Sequence, residues 1–285
     1  MYKNISDLLK AASEILNKFN IPRPHFETET LLCFAFKVKH ETAAAKDFPV
    51  INYTGHKKFF SYIERRTLKE PIAYIKEEKE FYSLTFYVNR NVLIPRCETE
   101  LIPEYLLLKD CSSLSIIDLG TGSGNIILSV KNTALKVKCE AIDFSSYALK
   151  VAVKNKNLLL RTEQGKQNIN FYKAKIGSNA LHQYHYVLSN PPYIDKYEMT
   201  LLMDDVKNFE PLIALNGGDK GLFFYKKIAR NGKKYLFSCK SEVLVEVGMG
   251  MLNDVVRIFA REGFKLSKVL VDLAGIERIL IFNYF

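Results

Sequence analysis

Apolar residues at the start of the chain recur at helical spacing: Ile5, Leu8, Leu9, Ala12, Ile15, Leu16 and Phe19. That period predicts an amphipathic helix, and Ile21-Pro22-Arg23-Pro24 ends it. A second helix is predicted from about Phe26 to Val38, carrying Leu31, Leu32, Phe34 and Phe36. A third is predicted from about Lys57 to Leu68, just before Glu70-Pro71. The period then changes. Tyr82, Leu84, Phe86 and Val88 alternate within Glu80–Val88, which predicts a strand. Asn89-Arg90-Asn91 supplies turn residues and Val92-Leu93-Ile94-Pro95 returns, so a β-hairpin is expected here. The division this implies is a small helical domain over residues 1–75, a β-hairpin linker over 76–97 and a second domain over 98–285. The helical domain carries no nucleotide loop and no catalytic cluster. It reads as a docking module, with simple structural capping as the alternative.

From about residue 113 strand and helix patterns alternate. Predicted strands are Ser115–Leu119, Val137–Ile142, Ile169–Tyr172, Tyr186–Ser189, Glu242–Val247, Leu266–Leu273 and Ile276–Phe282. Helices are predicted between the first five, notably Asn125–Lys131, Tyr147–Leu158 and Leu222–Lys233. This alternation argues for helices packed on both faces of a parallel sheet. Only Ala274-Gly275 joins the last two strands, so they are expected to pair as a hairpin. The predicted fold class is α/β: a doubly wound, mostly parallel seven-stranded sheet with a C-terminal antiparallel hairpin, plus the small N-terminal helical domain.

Composition changes this picture little. The 285 residues are 48% hydrophobic and 25% charged, the balance of a globular protein with a sizeable core. The net charge of +10 would suit an acidic or nucleic-acid partner. However, the basic residues are scattered, and Lys131, Lys136, Lys138, Lys150, Lys154 and Lys156 read as solvated helix faces and loops. The cysteines (Cys33, Cys97, Cys111, Cys139, Cys239) lack metal-ligand spacing, so no metal is expected and a reducing cytoplasm fits best. Met1-Tyr2-Lys3-Asn4 opens an amphipathic helix with no signal-peptide core. No apolar run approaches the roughly 20 residues that span a bilayer.

Chemistry enters at two stretches. Ile116-Ile117-Asp118-Leu119-Gly120-Thr121-Gly122-Ser123-Gly124 is a strand running into a glycine turn and a helix. Glycines let a ligand approach the main chain closely. The absence of a following Lys-Ser/Thr excludes a phosphate-cradling P-loop. Asp143 stands at the end of the second sheet strand, 23 residues after Gly120, which suits an acceptor for ribose hydroxyls. A nucleoside-bearing cofactor follows from the pair. Asp118 can orient the loop or meet the cofactor's amino group, or can serve only as a helix N-terminal partner. The second stretch, Ser189-Asn190-Pro191-Pro192-Tyr193, follows the apolar run His185-Tyr186-Val187-Leu188. Two prolines cannot continue a ladder. They leave an amide side chain and an aromatic ring at the carboxyl end of a strand, where open α/β sheets bind ligands. An NH2 group could be held between Asn190 Oδ1 and the Pro191 carbonyl, with the Tyr193 ring on its flat face. A plain strand-ending turn is the alternative.

With these residues in hand the chain resembles a class I S-adenosylmethionine-dependent methyltransferase. Asp118, Gly120, Thr121, Gly122, Ser123 and Gly124 look like its first motif, Asp143 like its ribose-binding acid, and Asn190-Pro191-Pro192-Tyr193 like its fourth, NPPY, motif. More specifically, the chain resembles the peptide-chain release factor glutamine N5-methyltransferases. Pro71-Ile72-Ala73-Tyr74-Ile75, Glu80-Phe81-Tyr82 and Leu93-Ile94-Pro95-Arg96-Cys97-Glu98-Thr99-Glu100 are similar to that family's linker hairpin and entry loop. Phe209-Glu210-Pro211, Gly217-Gly218, Gly221-Leu222, Glu246-Val247-Gly248 and Asp272–Arg278 follow the family order. Four positions depart from it. Cys97 stands where the family usually has proline, Ala174-Lys175 where an acidic and an aromatic residue usually meet the adenine, and Met251 near a usual glutamine.

The resemblance implies methyl transfer from S-adenosylmethionine to the side-chain amide nitrogen of the glutamine in the Gly-Gly-Gln tripeptide of class 1 release factors. It implies catalytic roles for Asn190, Pro191, Pro192 and Tyr193, and cofactor contacts from the glycine loop, Asp118, Asp143 and Asn190. The expected protein is a cytoplasmic monomer with a protein substrate, no stable nucleic acid and no membrane. Two alternatives stand beside this reading. One is adenine-N6 methylation of nucleic acid, with the base flipped into the same pocket. The other is a non-catalytic binding protein that keeps the fold.

Overall fold

The computed structural model describes residues 5–39, 53–109, 114–134, 136–160, 168–178, 182–237 and 240–284. Two of the cysteines considered above, Cys111 and Cys239, lie outside the described residues. The chain divides into two compact units, Met1–Glu77 with Met203–Phe209, and Glu78–Leu202 with Glu210–Phe285.

The first unit is helical, with α1 (Ile5–Lys18), α2 (Pro24–Phe36), α3 (Tyr53–Thr67) and the short α4 (Ile72–Lys76). Leu8, Ala12 and Leu16 recur every four residues on α1 and pack with Leu31, Leu32, Phe59 and Ile63. Helix α2 starts before the predicted Phe26, because Pro24 fits a first helical turn whose N–H groups have no helical partner. It stops at Phe36, where Lys37 turns left-handed (φ 56°) and closes the helix end. Arg66 reaches back to Glu27 through two hydrogen bonds of 2.6 and 3.3 Å, and both side chains are buried. Cutting such a pair leaves an uncompensated charge in the core.

The second unit is built on a seven-stranded sheet. Its strands are β3 (Ser115–Leu119), β4 (Lys138–Asp143), β5 (Ile169–Lys173), β6 (Tyr186–Ser189), β9 (Glu242–Glu246), β10 (Phe264–Val271) and β11 (Glu277–Tyr284). Their spatial order is β10-β11-β9-β6-β3-β4-β5. All neighbours are parallel except β11, which runs antiparallel to both β9 and β10. The fold is therefore the predicted doubly wound α/β sheet with a C-terminal antiparallel hairpin.

Strand alternation divides the core between the two faces. Ile116, Ala141, Leu188 and Leu244 enter one cluster with Ile102 and Ile127, while Ile117, Ile142, Val187 and Val245 enter the other with Tyr225, Ile228 and Phe259. Those helical partners come from α5 (Leu101–Leu107), α6 (Asn125–Thr133), α11 (Phe223–Tyr235) and α12 (Leu252–Arg261). Helix α7 (Ser146–Leu159) follows β4. Between β6 and α11 lie two short strands, β7 (Ile194–Asp195) and β8 (Asn216–Gly218), and three short helices: α8 (Glu198–Leu201), α9 (Asp204–Phe209, of the first unit) and α10 (Leu212–Leu215).

The hairpin differs from expectation. The run predicted as one strand is two, β1 (Glu78–Phe81) and β2 (Leu84–Tyr87), paired so that Phe81 faces Leu84. The turn falls on Tyr82-Ser83, with φ values of 50° and 57°. No glycine or asparagine marks that turn, so the sequence signal pointed to Asn89-Arg90-Asn91 instead. The Tyr82 N–H is held by Glu100 Oε1 at 2.9 Å, and Val92–Pro95 form a loop, not a returning strand. Helix α12 went unpredicted although its Val255 and Phe259 are fully buried.

Candidate active site

The sheet order reverses between β3 and β6. From β3 the chain moves outward to β4 and β5, and from β6 it moves the other way to β9. Such a switch point leaves a crevice at the carboxyl ends of the two central strands. Both sequence motifs arrive there, because β3 ends in the glycine loop and β6 ends at Asn190. Ser189 Oγ donates to Leu119 O at 2.7 Å, which ties the two strand ends together. Gly120 and Thr121 N–H both donate to Ile142 O, at 2.9 and 3.0 Å, which ties the loop to β4.

A cavity of about 410 Å³ opens over these ends. Gly120, Thr121, Gly122 and Ser123 line it, and so do Asp143, Asn190 and Pro192. Gly122 has a φ of 56° and no heavy atom within 4 Å of where a Cβ would stand, so its backbone faces open space. Asp143 is fixed from both sides: Oδ2 accepts from Gly122 N–H at 2.9 Å and Oδ1 from Ser145 N–H at 2.8 Å. Burial holds its carboxyl above the usual aspartate range, against the pull of those N–H groups.

Asp118 is placed differently. It is fully buried behind the loop, and it does not line the cavity. Its Oδ2 accepts from the Thr121 hydroxyl at 2.6 Å, and its Oδ1 has no hydrogen-bond partner among the described residues. Burial pushes its pKa up to about 7. Of the readings open from sequence, bracing the loop is the one this geometry supports. Gly124 also lies outside the cavity wall, at the start of α6.

Pro191 and Tyr193 do not line the cavity either. A methyl group on Gly248 would meet the Tyr193 ring at 3.0 Å, so that ring is turned against Gly248. Two further glycines crowd the same loop. A Cβ on Gly217 would lie 2.6 Å from Tyr193 Cα, and one on Gly221 would lie 2.0 Å from the Tyr193 carbonyl oxygen. The Asn-Pro-Pro-Tyr loop is thus cradled by backbone that no side chain could replace.

Several lining or supporting residues carried no assigned role in the sequence. Glu210 is buried, and it holds the entry loop by accepting from Ile94 N–H at 3.1 Å and from Arg96 at 2.6 Å. Phe144, next to Asp143, puts a half-exposed ring in the cavity wall, and Lys175 Nζ lies 5.3 Å from its centre. An aromatic face is therefore present in the wall where Ala174-Lys175 departs from the family pattern. Thr99, in the cavity wall, accepts from Asn190 and donates to Glu246. Glu210, Thr99 and Glu246 all fall inside stretches that follow the family order, so a signal existed for them.

Asn155 had no such signal. From α7 its Oδ1 accepts from Tyr87 N–H at 2.7 Å, and its Nδ2 donates to Tyr87 O and Ser123 O, both at 2.9 Å. One buried amide thus fastens β2 to the glycine loop. Replacing it by alanine orphans buried backbone groups, so Asn155→Ala is expected to lower stability by ~2–4 kcal/mol in urea denaturation.

Comparison with known proteins agrees with this geometry. Residues 99–206 match the family description "Methyltransferase small domain", and residues 7–76 match "PrmC N-terminal domain". The release factor glutamine methyltransferase of Thermodesulfovibrio yellowstonii is 35% identical over 280 residues, covering 94% of this chain and 95% of that protein. The chain belongs to the release factor glutamine methyltransferase family. The family member of Clostridium acetobutylicum is 34% identical, with 97% of each chain covered. A methyltransferase of known structure from Pyrococcus furiosus is 15% identical, with 70% of this chain and 87% of that chain covered and a TM-score of 0.48. In this family member both motifs therefore sit on one cavity at the switch point of the sheet.

Proposed function

We infer that the protein transfers a methyl group from S-adenosylmethionine to the side-chain amide nitrogen, N5, of the glutamine in the Gly-Gly-Gln motif of class 1 release factors. One observation carries the reading: Asn190 lines the cavity beside the glycine loop with its Nδ2 already engaged by Thr99 at 3.1 Å. With the NH2 end turned to Thr99, the opposite end of the amide offers an acceptor, Oδ1, which is what a substrate NH2 requires.

The residues present fit the cofactor. The open space before Gly122, the fixed carboxylate of Asp143 and the Phe144 ring together suit a nucleoside with a charged tail. Asp143 would take the ribose hydroxyls, and the backbone of Gly120–Ser123 would face the rest. When bound, the cofactor supplies a methyl group on a positively charged sulfur with a neutral thioether as leaving group.

An amide nitrogen is a poor nucleophile, because its lone pair is delocalised into the carbonyl. Asn190 Oδ1 accepts one N–H of the substrate amide, which orients the nitrogen and enriches its electron density. This is catalysis by positioning and electrostatics. As its new N–C bond forms, the substrate nitrogen's proton grows acidic, and it passes to water after the methyl group has moved, leaving the neutral N-methyl amide. Pro192 stiffens the loop, and Tyr193, seated on Gly248, anchors it. Burial, with Glu246 adding to it, pushes the Tyr193 phenol up to about 12, so it stays neutral throughout.

The helical unit at the N-terminus is proposed to dock the release factor. We also place the enzyme in the cytoplasm as a monomer acting on protein, without a stable nucleic-acid partner. In support, no helix among the described residues is long and apolar enough to cross a membrane. The test is transfer of label from S-adenosylmethionine to a purified release factor, beside the same factor with its Gly-Gly-Gln glutamine changed to alanine, and beside DNA. Label on the intact factor alone is expected. Label on DNA, or equal label on the altered factor, overturns the reading.

A further inference from the structure

At the cavity wall Asn190 is held by Thr99, and Thr99 is held in turn by Glu246, which lies outside the cavity lining. Asn190 Nδ2 donates to Thr99 Oγ1 at 3.1 Å, and Thr99 Oγ1 donates to Glu246 Oε2 at 2.6 Å. Thr99 is 1% exposed and Glu246 2%, so water does not compete for either bond. A threonine hydroxyl has one proton to give. With that proton committed to a carboxylate, only lone pairs remain for Asn190, and only the NH2 end of its amide can face them. The carboxylate of Glu246 thereby decides, two hydrogen bonds away, which end of Asn190 is offered to the cavity.

We propose that Thr99 and Glu246 are positioning residues that fix the amide of Asn190 with Oδ1 toward the substrate, and that protonation of Glu246 reverses the relay and removes the acceptor. This rests on the reading that Asn190 accepts an N–H of the glutamine amide. A neutral Glu246 can donate to Thr99 Oγ1, which frees the threonine proton for Asn190. The amide then gains by turning over, and its NH2 meets the substrate NH2, donor against donor.

The surroundings of Glu246 place this change within reach. Burial raises its carboxyl and the hydrogen bond from Thr99 lowers it; Glu98, on the same 3-10 turn as Thr99 (Cys97–Glu100), raises it, and Arg278 from β11 and Arg96 from the entry loop lower it. Arg278 is itself paired with Asp272 at 2.8 Å and lies 4.0 Å from Glu98. Tyr225 of α11 donates to the Glu246 backbone oxygen at 2.7 Å, and Tyr193 is the remaining titratable group nearby. Burial is the largest influence, and together these bring the carboxyl up to about 7. The sign follows: the acceptor is present above that pH and is lost as pH falls through it.

The experiment uses the full chain and two readouts. The first needs no acceptor protein: the side-chain amide resonances of Asn190 are followed by NMR from pH 5 to 9. They are expected to shift through a midpoint near 7 in the wild type, and to stay still in T99V and E246Q. The second is kcat against pH with a release factor as substrate. T99V removes the hydroxyl at constant shape and is expected to lower kcat about 10- to 100-fold and to abolish the acid limb. T99S restores the hydroxyl and recovers most of that loss. E246Q, whose NH2 can donate to Thr99 at every pH, is expected to be slow and pH-independent. A static Asn190 amide in the wild type overturns the relay, as does wild-type kcat in T99V or an equal defect in T99S. If the amide titrates as expected but no glutamine is methylated, the relay stands and the reading of the reaction fails.

Discussion

Asn190→Ala is expected to lower kcat for glutamine methylation by about 10²- to 10³-fold, the range seen when one preorganised electrostatic partner of a reacting group is removed. Affinity for S-adenosylmethionine is expected to fall by about tenfold at most, because Asn190 is one of many residues lining the cavity. A glutamine amide can enter the truncated cavity and be bound by its neighbours, but its nitrogen is no longer aimed. The comparison that sharpens the test is Asn190→Asp. Aspartate keeps an oxygen toward the cavity at the same size, yet its other oxygen must face Thr99 Oγ1, whose proton is committed to Glu246. Two carboxylates would then contend for one hydroxyl proton, so Asn190→Asp is expected to be impaired as well. Steady-state kinetics with calorimetric cofactor binding check both. A kcat within about threefold of wild type in Asn190→Ala would remove this residue from the mechanism.

Gly221→Ala is expected to be nearly as damaging although the residue lies outside the cavity wall. Its φ of 69° is strained for any side chain, and an added Cβ would stand 2.0 Å from the Tyr193 carbonyl oxygen. Ordinary contact needs well over 3 Å, so the Asn-Pro-Pro-Tyr loop must move by more than about 1 Å. A displacement of that size in a positioning group costs on the order of 10²-fold in rate. Backbone strain alone costs about 1–2 kcal/mol. Gly275→Ala separates the two effects. Its φ is 77° with nothing within 4 Å of the new Cβ, so it is expected to lose stability but keep its rate. Thermal melts with kcat for both variants decide the point. Equal kcat in Gly221→Ala and Gly275→Ala would mean that crowding against the loop does not matter.

The sheet was legible because its strands are apolar, short and separated by helices, and because Asn190-Pro191-Pro192-Tyr193 and Gly120-Thr121-Gly122-Ser123-Gly124 punctuate it with residues that cannot continue a strand. The turn at Tyr82-Ser83 was not legible. Both residues adopt positive φ without being glycine or asparagine, and the Tyr82 N–H is held from outside by Glu100. Helix α12 does show apolar residues at Leu252, Val255, Val256 and Phe259, so its period was present and went unread. Within the site, sequence named the residues that end strands but not those that brace them. Thr99 and Glu246 are 147 positions apart, and a hydrogen bond across that distance leaves no periodic trace. Glu246 sits in a wholly buried strand, where a lone carboxylate looks like an edge residue until its partner is seen. Asp118 shows the reverse case, a motif residue whose place is behind the loop and not in the cavity.

The glycines that cradle the Tyr193 loop have a consequence for how the protein comes to be active. Gly217 and Gly221 precede α11, Gly248 follows β9, and the residues they press on follow β6. None of these contacts exists until widely separated parts of the chain have met, and such long loops are slow to close. The cavity is consequently completed only when the ends of β6 and β9 and the segment before α11 have come together. Recovery of methyl transfer during refolding should therefore not run ahead of recovery of helix and sheet signals.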